Sequence, residues 1–153
     1  MKLGIKLALL STALVGTVVA TTSWVFTQSL RRAGEREIDA ELRSDARLLL
    51  HAKRTGLLTE EVLSELSRPG LSWLVIRDGQ LSRAKLSKEV ARERVTVTER
   101  CQASPSFDIA DQQISGVKYR SIAVALGPSS HGCLLRSLDG VIERAKTVQT
   151  TLF

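Results

Sequence analysis

From Leu7 to Phe26 the chain carries no formal charge, with Lys2 and Lys6 before this stretch and Arg31 and Arg32 after it. At about 1.5 Å per residue such a run forms a helix about 30 Å long, the thickness of a bilayer's hydrocarbon core. The pattern predicts one membrane span over 7–26, with residues 1–6 in the cytoplasm and residues 27–153 beyond the membrane. Ser11, Thr12, Thr17, Thr21, Thr22 and Ser23 can bond back to their own helix, and Trp24 sits where an interfacial aromatic belongs. The rival reading is a cleaved signal with Val18-Val19-Ala20 as the cleavage site, and the apolar run through Trp24, Val25 and Phe26 argues against it.

After the span the period stays helical. From about 29 to 53 the chain lacks proline and is rich in Arg, Glu, Ala and Leu. Ile38, Leu42, Asp45 and Leu49 are spaced four, three, four, the interval of a helix that packs along another helix. Asp45 interrupts that seam, Asp39 and Arg43 support the solvent face, Gly34 weakens the first turns and Gly56 ends the helix. A short second helix is expected after Thr59 as its N-cap, with Leu58 and Leu63 as a hydrophobic staple, stopped by Pro69-Gly70.

The period then changes to that of strands. Leu71 to Arg77 reads as a central strand, with Trp73 and Val75 on one face and Leu74 and Ile76 on the other. Asp78-Gly79 turns it into a short arm at Gln80-Leu81. Ser82 to Arg94 is ambiguous, with Ser87 a possible cap. Val95 to Thr98 alternates as a strand, Ser106 to Ala110 suggests another, Val117 to Leu126 is the longest, and Cys133 to Arg136 begins the last. Asp139 or Ser137 then caps a helix over about 138–153, whose Val141, Ala145, Val148 and Leu152 repeat the four, three, four spacing. The expected fold is α+β: a transmembrane helix continuing into a stalk helix, a small antiparallel sheet and a C-terminal helix. Each narrow stripe serves either a helical stalk or the domain's own sheet.

Composition narrows the function. With 153 residues there is room for one small exported domain, and 43% hydrophobic with 25% charged residues is ordinary for a folded chain. The net charge of +6 raises nucleic acid as a partner, but acids and bases alternate, aromatics are scarce and the span denies access to DNA. Anionic lipid headgroups or an anionic ligand are the milder inference. Cys101 and Cys133 both fall in the exported part, where an oxidising compartment makes them either a disulfide or two buried thiols.

Gly116-Val117-Lys118-Tyr119-Arg120 opens a long strand, and Cys133-Leu134-Leu135-Arg136-Ser137-Leu138-Asp139 passes into a helix. With the span, the outgoing helix and the DG and G-P turns, this order resembles the extracytoplasmic PAS-like or Cache-like sensor domain of bacterial membrane receptors, especially sensor histidine kinases. The resemblance implies a signal-input domain on the outer side of the cytoplasmic (inner) membrane, a homodimer formed through the stalk helices, and a small ligand or envelope protein as its signal. It departs at the end, since Phe153 stands where a second span would begin, and neither a phosphoacceptor-histidine helix nor an ATP lid is present. The expectation is the input half of a receptor without its kinase. The alternative is a single-span accessory protein whose outer domain docks on a membrane complex.

In a PAS-like sensor the pocket lies between the sheet and its covering loops, where Arg83, Lys85, Lys88, Arg92 and Arg94 would suit a carboxylate or phosphate. Tyr119 and Arg120 alternate on their strand, so only one can face any pocket. Solvated surface is the bland account of these cations. No catalytic motif is present: G-x-S-x-G, GxGxxG, a Walker loop and HExxH are all missing, so no enzyme activity and no cofactor are expected. His51 reads as a solvated residue. His131 with Cys133 and Cys101 supplies three potential metal ligands without a fourth, so no metal site is assigned.

Overall fold

A single helix, α1 (Lys2–Arg54), opens the computed structural model, which describes residues 2–56, 60–66, 68–103 and 106–151. The chain divides into two compact units, Glu35–Gly140 and a second made of Met1–Gly34 with Val141–Phe153, and α1 contributes to both.

In the second unit, an 18-residue window of α1 has a mean hydropathy of 1.9 and none of it is buried within the protein. By length and composition it can cross a membrane. Ser11, Thr12, Thr17, Thr21, Thr22 and Thr27 donate to carbonyls three or four residues back, at 2.6–3.0 Å. Their hydroxyl donors are therefore satisfied inside the helix, as insertion into hydrocarbon requires. In the same unit, a Cβ on Gly34 would lie 2.7 Å from Val141 Cγ1, on helix α5 (Asp139–Thr151). Glycine is what lets the two helices approach there.

The unit Glu35–Gly140 is built on a five-stranded antiparallel sheet of order β2-β1-β5-β4-β3, with β1 (Leu71–Arg77), β2 (Gln80–Lys85), β3 (Ile109–Ile114), β4 (Val117–Gly127) and β5 (Ser130–Ser137). Asp78-Gly79 and Ser115-Gly116, all four at positive φ, make the tight turns of the β1–β2 and β3–β4 hairpins. Asp and Gly suit such left-handed positions, Ser115 is held in one with its amide donating to Glu93 Oε1 at 2.7 Å, and the turn's twist matches that of the strands it joins.

Both faces of the sheet are covered. On one, Leu74 and Ile76 of β1, Tyr119 of β4 and Cys133 and Leu135 of β5 join Val90, Val97 and Cys101 in one core. The last three come from α3 (Lys88–Arg92) and α4 (Arg94–Ala103); the short helix expected between α1 and β1 is α2 (Glu60–Glu65). On the other face lies α1, whose Ile38, Leu42, Asp45 and Leu49 are all buried. A Cβ on Gly132 of β5 would sit 2.6 Å from Leu49 Cδ2 and within 3.3 Å of Leu126 and Val124. The four, three, four stripe of this helix thus packs at Leu49 on its own sheet. Of the matching stripe on α5, the side chains of Ala145, Val148 and Leu152 lie outside the described residues, as do Leu58 and Thr59.

Several boundaries differ from the sequence reading. Val95 to Thr98 is not a strand but part of α4, where Val97 and Cys101 recur at i, i+4 on the buried side while Val95 is exposed. Four alternating β-branched residues are too few to separate the two periods. The second arm of the first hairpin runs on to Lys85, and Ser87 then caps α3, its hydroxyl accepting from Val90 N. The strand expected at Ser106–Ala110 is Ile109–Ile114 instead, an edge strand with too few apolar residues to announce itself. Ser137 accepts from Asp139 N at 3.1 Å, which selects Ser137 of the two caps weighed for the last helix.

Candidate functional site

The sheet face under α1 carries a row of residues opposite one another on adjacent strands: Arg136 of β5, Arg120 of β4 and Asp111 of β3. Two arginines side by side repel, and carboxylates must cover them for the strands to pair without cost. α1 supplies these carboxylates. Glu35 and Asp39, one turn apart, each reach Arg120 at 3.4 Å, and Asp111 closes on it at 3.1 Å. Glu41 pairs with Arg136. Arg120 is only 19% exposed in its side chain, so screening by water is weaker here than for an ordinary surface pair. The arrangement clasps the helix to the strands by charge where its apolar stripe begins.

Replacing Arg120 by methionine is expected to lower the domain's stability by about 1–3 kcal/mol, the usual cost of stranding partly buried charges. Urea unfolding followed by circular dichroism measures it. When Asp39→Asn is combined with it, the total loss is expected to be smaller than the sum of the two single losses.

Further along α1, Asp45 is buried in the apolar stripe and meets Arg68 at 3.5 Å. Burial pushes its carboxyl above the ordinary aspartate range, with the Arg68 guanidinium opposing. A carboxyl that holds its proton more tightly when folded contributes stability below its unfolded pKa. That contribution is lost as pH rises through the folded value. The stability difference between the wild type and Asp45→Asn is therefore expected to move against the wild type as pH rises from the unfolded through the folded pKa of Asp45, and urea unfolding of both proteins at a series of pH values reads it.

On the opposite face, Tyr119 and Ser87 share a hydrogen bond of 3.1 Å, and the Ser87 amide donates to Ser72 at 3.0 Å. Burial pushes the Tyr119 phenol up, the Ser87 bond opposes this, and Glu89 and Asp139 add to the rise. This polar line ties the cap of α3 to β1 and β4. Cys101 and Cys133 are joined as a disulfide that fastens α4 to β5, with Cα atoms 6.0 Å apart.

The residues read from the sequence as ligand contacts are not brought together. Tyr119 is in the core and Arg120 is in the clasp on the other face. Arg83 and Lys85 lie opposite Val75 and Trp73 on β2, the α1 side of the sheet. Arg92 ends α3 and Arg94 begins α4, on the other side. Apolar side chains and the disulfide occupy the layer between the sheet and α3–α4, where the sensor pocket was expected. An open cleft of about 530 Å³ lies instead outside that layer, lined by Gly79 and Leu81 of the first hairpin and by Arg94, Val95, Thr98, Glu99 and Gln102 of α4.

Glu35, Glu41, Asp111 and Arg136 were not singled out by the sequence. A turn-spaced acidic pair at 35 and 39 facing arginines sixteen residues apart has no short-range signature. His51 is exposed at the end of α1, and among the described residues no cluster of His, Cys, Asp and Glu is suited to a metal ion. Compared with protein-family models, curated proteins and solved structures, the chain matches none of them.

Proposed function

We propose that this chain is the extracytoplasmic signal-input portion of a membrane-anchored bacterial receptor of the PAS-like or Cache-like class, as in sensor histidine kinases, without the catalytic part. One observation carries the reading: a single helix holds both the apolar window and the acidic residues that clasp the sheet. A signal that shifts the sheet then acts on the segment that enters the lipid. The antiparallel order β2-β1-β5-β4-β3, with helices before and after it, supports the resemblance. A disulfide supports placement of this domain in an oxidising compartment beyond the inner membrane.

Two-state switching of this kind needs only that binding favour one arrangement by a few kcal/mol. Homodimerisation through the helices belongs to the proposal and has to use faces of α1 other than Ile38, Leu42, Asp45 and Leu49, which are already buried. The proposal assigns no chemical step to the chain.

The filled layer under α3 and α4 also favours a second reading, a single-span accessory protein whose outer domain docks on a membrane complex. The nucleotide sequence after codon 153 separates the two, since a second apolar run followed by a kinase or cyclase module belongs to the receptor. Membrane placement is tested by adding protease to the outer face of the inner membrane in osmotically opened cells. Digestion of residues 27–153 is expected, and protection until the membrane itself is broken overturns both readings.

A further inference from the structure

The clasp leaves the part of α1 that covers the sheet sorted by charge. Between Glu35 and Arg54 its acids are Glu35, Glu37, Asp39, Glu41 and Asp45. Glu35 and Asp39 hold Arg120, Glu41 holds Arg136 and Asp45 meets Arg68. Arg36, Arg43, Arg47 and Arg54 are all exposed, and among the described residues none of the four has a hydrogen-bond or ion-pair partner for its guanidinium. At about 100° per residue they fall within an arc of about 40°, on the side of the helix away from the buried Ile38, Leu42, Asp45 and Leu49. Ala40 and Leu50 complete a four, three, four, three, four spacing from Arg36 to Arg54, a row about 27 Å long. An ordinary solvated helix face interleaves acids and bases four residues apart. This one does not: Asp39, four residues before Arg43, is turned to Arg120, and Arg43 and Arg47 repel each other across one turn.

We infer that this outward face of α1 is the docking surface for a helix of a partner protein that carries carboxylates at the same four-three spacing. The cations of the row are all guanidinium forks, which match a carboxylate two hydrogen bonds at a time. Its straightness and length fit one helix laid alongside, with Ala40 allowing close approach and the half-buried Leu50 offering an apolar contact. A second copy is disfavoured as occupant, since pairing in either direction would set arginine against arginine. A lipid surface is disfavoured too. A helix lying on lipid turns its apolar face to the acyl chains, whereas the apolar stripe here is buried and packs on the sheet at Gly132. The inference goes beyond both readings of the chain's role, since it depends on neither the signal nor the side of the membrane.

The test uses the full chain in nanodiscs of zwitterionic lipid and a fluorescent peptide of glutamate, alanine and leucine, stapled as a helix, whose glutamates follow the four-three spacing. The comparison peptide is equally helical and has the same composition with its glutamates spread around the helix. Fluorescence anisotropy at low salt is expected to show binding of the first peptide, at least tenfold weaker for the second and at least tenfold weaker after Arg43→Gln with Arg47→Gln. These substitutions remove a repulsive pair, so the variant's Tm is expected to be unchanged or higher, which separates lost binding from lost folding. Arg36→Gln with Arg54→Gln, at the ends of the row, is expected to weaken binding as well. A photo-crosslinker on the peptide is expected to label α1 between Arg36 and Arg54, read by mass spectrometry. Equal binding of both peptides, undiminished binding by both variants, labelling elsewhere, or no binding overturns the inference. So does tighter binding to phosphatidylglycerol vesicles than to the peptide, abolished in the variants, because the occupant is then lipid. Peptide binding is read independently of membrane sidedness, so failure here and failure of the protease experiment are distinguishable.

Discussion

Protein carrying Cys101→Ala and Cys133→Ala is expected to be less stable than the wild type by about 3–4 kcal/mol, the loop-closure contribution of a bridge spanning 32 residues. For a domain of this size that corresponds to a fall in Tm of roughly 15 °C, measurable by calorimetry. The bridge ties α4, whose sequence favours helix weakly at Val95, Thr96, Val97 and Thr98, to the strand at the centre of the sheet. Cys101 and Cys133 are each 1% exposed. Mild reductant is therefore expected to release thiols no faster than the domain opens, and trapping with an alkylating reagent followed by mass spectrometry reads that rate. Fast release from the folded protein would show that the bridge lies at the surface.

The other large effect is expected at Gly132. Even one methyl group there meets Leu49 Cδ2 at 2.6 Å, with Leu126 and Val124 at 3.2 and 3.3 Å. Gly132→Val is expected to cost about 2–3 kcal/mol, the upper part of the range for overpacking a core. The cause is separable from an effect on the strand's backbone. In the Leu49→Ala background the same substitution fills the space that the leucine vacates, so its cost is expected to shrink by more than 1 kcal/mol in a double-mutant cycle. Denaturant unfolding of the four proteins measures this, and an unchanged cost would move the strain from α1 into β5 itself.

Much of the architecture was legible because local signals agreed with it. Leu71 to Arg77 is apolar on both faces and is indeed paired on both sides, and Asp78-Gly79 makes the turn that its dipeptide announces. Ile38, Leu42, Asp45 and Leu49 were spaced as a seam and are all buried, but spacing could not say against what: a helix and a sheet ask for the same stripe. Ser115-Gly116 is a turn dipeptide too, but the strand before it, IADQQI, has too little apolar content to mark it as a hairpin turn. The clasp was hidden for a different reason. Glu35, Asp39, Asp111 and Arg120 are brought together by strand pairing and by helix placement. The basic segment from Arg83 to Arg94 misled in the opposite way, since neighbours in sequence are divided between two faces of the sheet.

Tyr119 and Arg120 are consecutive, yet one holds the cap of α3 through Ser87 and the other holds Glu35 and Asp39 of α1. A single peptide unit of β4 is therefore shared by the anchorages of a short helix and of the long one, and a displacement of that strand is felt on both sides of the sheet.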